Sequence, residues 1–419
     1  MLSRILAVIV AAALLTSAAS AATTPKARAA VISTPRGEGK VGVKPPFTAL
    51  MYLTNRPDSI ASFREHASQI SIIAPQTFVM DAEGFISGDV PEEVLQIAAA
   101  NRVAVLPLVV NRRFDQPLMH TVLDSPESRA RAIRYLLYYA LRDGYMGFQF
   151  DYENIHHTYR DRLSAFFQEA AAAFHQHGLI LSAAVVGRYA DDPRSESPGG
   201  FENWSGVYDY AVLGKHADFL TIMAYPQHAQ FSGPGPVAGL TWVRKIADYA
   251  GAQMPPRKIS LGIPLYGVQW TAQPSAAGET ATKWKVRSTR YSDVTARLAS
   301  TGPAWDEAEQ APHLMFVEQG GQTELWYEDA RSLGAKLDLA QTAKFAGVSA
   351  WSLGSEDPAF WTTLARYRIA RLPVRPMKGT LDQRARAAAR ALALKPKAVN
   401  MAASRPGAPH KSNSPAPDF

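Results

Sequence analysis

The chain has 419 residues, 47% of them hydrophobic, with no cysteine and a formal net charge of +7. That length and apolar content allow a large core, and the cysteine count excludes disulfides, a thiolate metal centre and a thiol nucleophile. The charge would suit a nucleic-acid binder, but from Pro373 onward there are nine Lys/Arg against two Asp, so the tail accounts for the whole excess. A neutral body with a basic end does not point to nucleic acid.

In chain order, residues 1–22 run from Arg4 through the apolar stretch 5–15 to Ala19-Ser20-Ala21, the small-x-small form of a signal-peptidase site. The stretch is too short and wrongly flanked for a membrane anchor, although an uncleaved N-terminal anchor is the alternative. The expectation is an exported, soluble protein, periplasmic or secreted. Export without cysteine fits a bacterial envelope better than a disulfide-built extracellular setting. Residues 23–45 read as a linker.

Apolar, β-rich runs then recur at 47–53, 70–80, 103–110, 146–152, 179–186, 219–225, 259–266 and 347–353. Helix-like segments separate them, among them 126–142 after Ser125 as N-cap, 159–177 ending at Gly178, 240–250 and 329–345. Several runs are apolar nearly throughout, as expected of strands covered by helices on one face and a packed interior on the other. Eight such alternations predict an α/β fold, a (β/α)8 TIM barrel over 46–372. The interval between the seventh and eighth strands is about twice what a βα unit needs. It holds Trp284, Tyr291, Trp305, Phe316 and Trp326, with Gly320-Gly321 as a hairpin turn. A small α+β insertion, at about 271–330, is expected to wall one side of a cleft. The tail, 373–419, contains an Ala/Arg-rich helical piece at 381–394 and a Pro/Ser/Ala-rich end. It reads as a solvated or disordered appendage, with contact to an anionic envelope polymer or membrane surface as the second reading.

The run from Asp143 to Asn154 is the most informative. A strand has a side-chain period of two, so Gln149, Asp151 and Glu153 share one face while Phe148, Phe150 and Tyr152 share the other. A solvated strand end could show the same alternation. At the C-terminal end of a barrel strand, however, two acids aimed into a pocket suit acid–base chemistry on a sugar.

Here the chain resembles glycoside hydrolase family 18, whose fourth-strand run is Asp-x-x-Asp-x-Asp-x-Glu. Met146-Gly147-Phe148-Gln149-Phe150-Asp151-Tyr152-Glu153 stands in the same frame, with Met146 and Gln149 in place of the first two acids. Ile222-Met223-Ala224-Tyr225 resembles the family's sixth strand, 262–267 its seventh and 347–357 its eighth, and 326–332 resembles the end of the insertion. The likeness spans roughly 47–361 and is nearest the branch that includes spore-cortex-lytic and germination-type N-acetylglucosaminidases.

The resemblance implies roles by position. Glu153 is expected to be the general acid, and Asp151 to hold the substrate's N-acetyl group for attack on the anomeric carbon. Tyr225 is expected to donate to the same carbonyl, and Trp351 to form the floor under the sugar, unless it is an ordinary core residue. Met223, Tyr266, Gln269 and Trp270 are further substrate-binding candidates, plain packing being the alternative for the last three. Gln149 cannot ionise, so no charge relay can run below Asp151; it is expected to orient Asp151 by hydrogen bonding. Pro226 follows Tyr225 where the family often has an Asp. Glu328 could reach the cleft. His156-His157 are adjacent on a loop and diverge, the chemistry needs no metal or cofactor, and Asp191-Asp192 read as turn residues.

The expected function is therefore hydrolysis of β-linked N-acetylglucosamine polymers, peptidoglycan first and chitin-type oligosaccharides second. The competing classes are a non-catalytic carbohydrate-binding barrel and an envelope protein acting through its tail. Retention of both Asp151 and Glu153 favours an enzyme.

Overall fold

The computed structural model describes residues 46–393 apart from 197–198, 231, 275–282, 319 and 377; the predicted signal peptide, the linker and the end of the tail lie outside these. The eight expected strands form a parallel barrel: Thr48–Leu53, Ile72–Met80, Leu108–Asn111, Gly147–Asp151, Ile180–Val186, Phe219–Met223, Ile259–Pro264 and Gly347–Trp351. The first pairs with both the second and the eighth, which closes the sheet on itself. Close approach between strands demands glycine at Gly147, where a Cβ would sit 1.8 Å from the carbonyl oxygen of Ile180. The third run is interrupted. Ala104–Val105 pairs with the second strand and pairing resumes at Leu108, because Pro107 offers no N–H and restricts the residue before it.

Alternation on the fourth strand has the expected sense. Gln149 and Asp151 face the barrel interior, while Phe150 packs on Phe166 and Phe167 of the helix Arg160–Gln176. Ser125 caps the helix Pro126–Asp143 through the Ser128 N–H.

Among the described residues the insertion is a five-stranded antiparallel sheet with one helix, Tyr291–Leu298. It starts earlier than expected. Gly267–Ala272 is its second strand in spatial order, flanked by Trp284–Thr289 and Gly321–Trp326, so the chain leaves the barrel directly after Tyr266. In the hairpin between Ala311–Glu318 and Gly321–Trp326, Gly320 stands at φ +79°.

Among the described residues, the start of the tail is attached to the barrel rather than free, although most of its side chains are exposed. Ala370 N–H bonds Phe47 O, Arg371 reaches Ile70 O and Arg375 reaches the carbonyls of His177 and Gly178, so the chain straps the base of the barrel. The helix Leu381–Ala391, opened by a Thr380 capping box, then docks on Pro126–Asp143. Ala388 and Ala389 are buried, and Arg384 Nε donates to Arg142 O at 2.9 Å. Small side chains let the two helices approach, and the guanidinium satisfies a carbonyl that the last helical turn leaves free.

Candidate active site

The acid pair stands where the fourth strand leaves the sheet. Its pairing with the third strand ends at Val110↔Asp151, and beyond that point side chains replace the ladder. Tyr208 Oη donates to Tyr152 O at 2.8 Å. Asn111, the fully buried last residue of the third strand, accepts from Glu153 N–H at 3.0 Å and donates to Glu153 O at 3.0 Å. Asn154, at φ +53°, donates to Phe114 O at 2.9 Å.

Asp151 is buried, and its Oδ1 has no hydrogen-bond partner. Burial raises its pKa, and among the described residues no cation offsets this. Glu153 is half-buried. Desolvation first, and then the charge of Asp151, push its carboxyl well above the usual carboxylate range. The two acids influence one another, and burial and mutual charge both favour the protonated form of Glu153.

Three phenols stand within electrostatic reach of this pair, Tyr52, Tyr208 and Tyr225; each is raised chiefly by burial and further by Asp151 and Glu153. They remain protonated and able to donate. Tyr225 ends the sixth-strand segment at a cis bond to Pro226 and meets Tyr266 edge-on at 6.4 Å. Trp351, half-buried at the end of the eighth strand, lies 5.4 Å from the Tyr52 ring and packs with Tyr225, Tyr266 and Trp270. The expected acid pair, Tyr225 and Trp351 are thus brought together at the strands' C-terminal ends. Met223 is half-buried at the end of the sixth strand.

Other expectations are corrected. The hydrogen bonds of Gln149 go elsewhere than Asp151: its Oε1 accepts from Tyr52 Oη at 2.7 Å and its Nε2 donates to Ser182 Oγ at 2.7 Å and Thr221 Oγ1 at 3.1 Å. Thr221, Ser349 and Ser260 continue this neutral network across the barrel. Trp270 is fully buried and Tyr266 nearly so, which makes them the packing behind Trp351 rather than stacking surfaces. Gln269 is buried against Arg287, Glu318 and Thr271. Glu328 is held by Lys336 Nζ at 2.7 Å and Ser332 Oγ at 2.6 Å, away from any solvent. His156 accepts from Thr158 N–H, and among the described residues no three His, Cys, Asp or Glu gather as metal ligands. Asp192 caps a turn through Arg194 N–H, as expected of a loop residue. Tyr52, Asn111 and Tyr208 were not singled out from the sequence.

A closed α/β barrel with a buried and a half-buried acid at the end of its fourth strand, and no cation against them among the described residues, is the arrangement of a glycosidase-type centre. The family model "Glycosyl hydrolases family 18" matches residues 76–357, and the chain belongs to that family of glycoside hydrolases. It is 26% identical over 306 residues to a cortical fragment-lytic enzyme of Bacillus subtilis, covering 72% of this chain and 69% of that protein. It is also 26% identical over 321 residues to the uncharacterized glycosylase YvbX of the same organism, with 75% and 90% covered. Among solved structures, the fold is similar to the Bacillus cereus spore cortex-lytic enzyme SleL (TM-score 0.69, 24% identity, 79% of this chain and 76% of that one). It is also similar to a chitinase from Chromobacterium violaceum (TM-score 0.68, 24% identity, 76% and 98%).

Proposed function

We propose that the protein is an exported hydrolase of β-linked N-acetylglucosamine polymers, with peptidoglycan or its fragments as substrate and retaining, substrate-assisted chemistry. The observation that carries this is the acid pair at the end of the fourth strand: Glu153, whose carboxyl pKa is raised by burial and by the neighbouring Asp151, beside an Asp151 whose Oδ1 has no hydrogen-bond partner. Glu153 protonates the glycosidic oxygen as the bond to the anomeric carbon breaks. The substrate's own N-acetyl carbonyl oxygen attacks that carbon, with Asp151 on the amide N–H and the Tyr225 hydroxyl on the carbonyl. Glu153, now a carboxylate, deprotonates the water that opens the resulting oxazolinium ion, and the configuration is retained. Trp351 offers the apolar face under the ring.

The likeness to cortical fragment-lytic enzymes favours peptidoglycan over chitin oligosaccharides. Hydrolysis of N-acetylglucosamine oligomers and of purified peptidoglycan by the wild type and Glu153→Gln tests the proposal. The amide cannot give up a proton in the same way, so turnover falls about 10²–10⁴-fold. Equal rates for the two proteins, or no cleavage of any N-acetylated glycan, would overturn it.

Export rests on the leader-like residues 1–22 and predicts a mature N-terminus at residue 22 or close after it in the exported protein. For the basic end, Arg386 and Arg390 lie on the exposed side of the docked helix and four further Lys/Arg follow it. Removing 394–419 leaves the docked helix in place. Unchanged hydrolysis with lost envelope association would support a tether.

A further inference from the structure

Asn111 is a buried carboxamide with no part in the chemistry set out above, yet both of its polar atoms are spent on the backbone of one residue, Glu153. Among the described residues its side chain makes one further hydrogen bond, a longer one of 3.4 Å to Asp115 O. The main-chain ladder between the third and fourth strands ends at Asp151, two residues before the acid. Left to the main chain alone, the N–H and C=O of Glu153 would be unpaired at the edge of a largely buried site. A carboxamide can present an N–H donor and a C=O acceptor side by side, as the N–H and C=O of a single strand residue do, so Asn111 extends the ladder by one rung.

We propose that Asn111 is the positioning residue for the general acid, and that its two-point hold on the Glu153 backbone sets the direction in which that carboxyl presents its proton. The inference rests on the role assigned to Glu153 under the proposed function. Two bonds to one residue fix the orientation of its peptide planes, and hence its Cα–Cβ direction, which one bond would not. The following residue is held as well: Asn154 Nδ2 binds Phe114 O, and Gln116 Nε2 bridges Asn154 Oδ1 at 3.4 Å and Asn203 Oδ1 at 3.1 Å. All the side chains that brace Glu153 and Asn154 are thus neutral amides. Neutrality has a consequence: a cation there would pull the proton off Glu153, and a carboxylate would add a third acid to a desolvated pair. A hydroxyl would lack the span to bond both groups.

The test uses the full chain with Asn111→Leu and Asn111→Asp. Three quantities are read: kcat and KM on an N-acetylglucosamine oligomer, thermal unfolding, and the NMR titration of the ¹³C-labelled Glu153 carboxyl. Asn111→Leu is expected to lower kcat about tenfold to hundredfold while KM changes about twofold or less, since the loss is one of alignment. The Glu153 titration moves down toward the ordinary glutamate range as the side chain gains access to water. Asn111→Asp keeps the acceptor for Glu153 N–H but loses the donor. It lowers kcat as well and moves the Glu153 titration upward; it decides the matter by itself should Asn111→Leu not fold. A kcat loss no larger than the unfolded fraction, with the Glu153 titration unmoved in either variant, would reduce Asn111 to a fold residue and overturn the inference. If the wild type cleaves no N-acetylated glycan, the proposed function fails, and the titration alone still decides whether Asn111 governs Glu153.

Discussion

Glu328 and Asp151 are carboxyls of nearly equal enclosure, 2% and 4% exposed, and the protein treats them in opposite ways. At the return of the insertion, Glu328 has an equally buried Lys336 against it and a Ser332 hydroxyl as a second donor. At the barrel mouth, Asp151 has an unpartnered oxygen and a second acid for a neighbour. Burial raises the pKa of both groups, and only at Glu328 does a cation pull against it. A buried acid with its counter-ion is architecture. One without it holds free energy that only a substrate can release, which is what an active site needs.

The largest expected effect comes from removing the counter-ion that makes Glu328 structural. Lys336→Met strands a buried charge and is expected to cost about 3–5 kcal/mol of stability in urea unfolding. The double change Lys336→Met with Glu328→Gln recovers most of that. Turnover per folded molecule stays at the wild-type value in both, because neither residue touches the acid pair. If the double variant is no more stable than Lys336→Met alone, the ion pair is not what holds the insertion's return, and the contrast with Asp151 fails.

That contrast was only half visible in the sequence. Period-two alternation places Asp151 and Glu153 correctly, and the eight apolar runs locate every barrel strand. A strand's own sequence, however, does not say what its inward side chains will meet. Gln149 lies in a layer with Ser182, Thr221 and Tyr52, which come from the fifth, sixth and first strands, so its partners follow from the barrel's register rather than from Asp151 two residues on. Trp270 is a substrate-binding candidate in the sequence because it follows the seventh apolar run, with plain packing as the alternative; the chain has already entered the insertion's sheet there, and the ring is enclosed. Asn111 carried a faint signal, a lone carboxamide closing an apolar run at a strand's C-terminal end, but its bond to Glu153 crosses 42 positions of sequence. The tail helix read as solvated because arginine is usually exposed, whereas its alanines are what dock.

A smaller effect separates the two acids by the sign of the stability change. Asp151→Asn removes a charge that has no partner, so the variant is expected to be more stable than the wild type, by roughly 1–3 kcal/mol, while losing activity. Because the folded pKa of Asp151 lies above its unfolded value, the native state binds more protons than the unfolded one in the window between the two. Wild-type stability associated with this group is therefore full at low pH and is lost as pH rises through the folded pKa. The advantage of Asn must grow with pH. Unfolding measured at about pH 5 and about pH 8 checks it; a gain that is equal at both, or a loss, would mean that Asp151 is satisfied by contacts other than those described.

The smallest effect is a displacement along the pH axis. Glu153 acts as an acid, so activity is expected to persist through neutral pH and to fall on the alkaline side, where the carboxyl finally ionises. Desolvation is the first cause of that high value and the negative charge of Asp151 the second. In Asp151→Asn the second cause disappears and the first remains. The alkaline limb of the residual activity should then move to lower pH without reaching that of an exposed glutamate. At the Glu328 site the same substitution of acid by amide would leave the limb where it is, since that carboxyl is tied to Lys336. A limb that stays fixed in Asp151→Asn would show that burial alone keeps the proton on Glu153, and the neighbouring acid would then act only on the substrate's N-acetyl group.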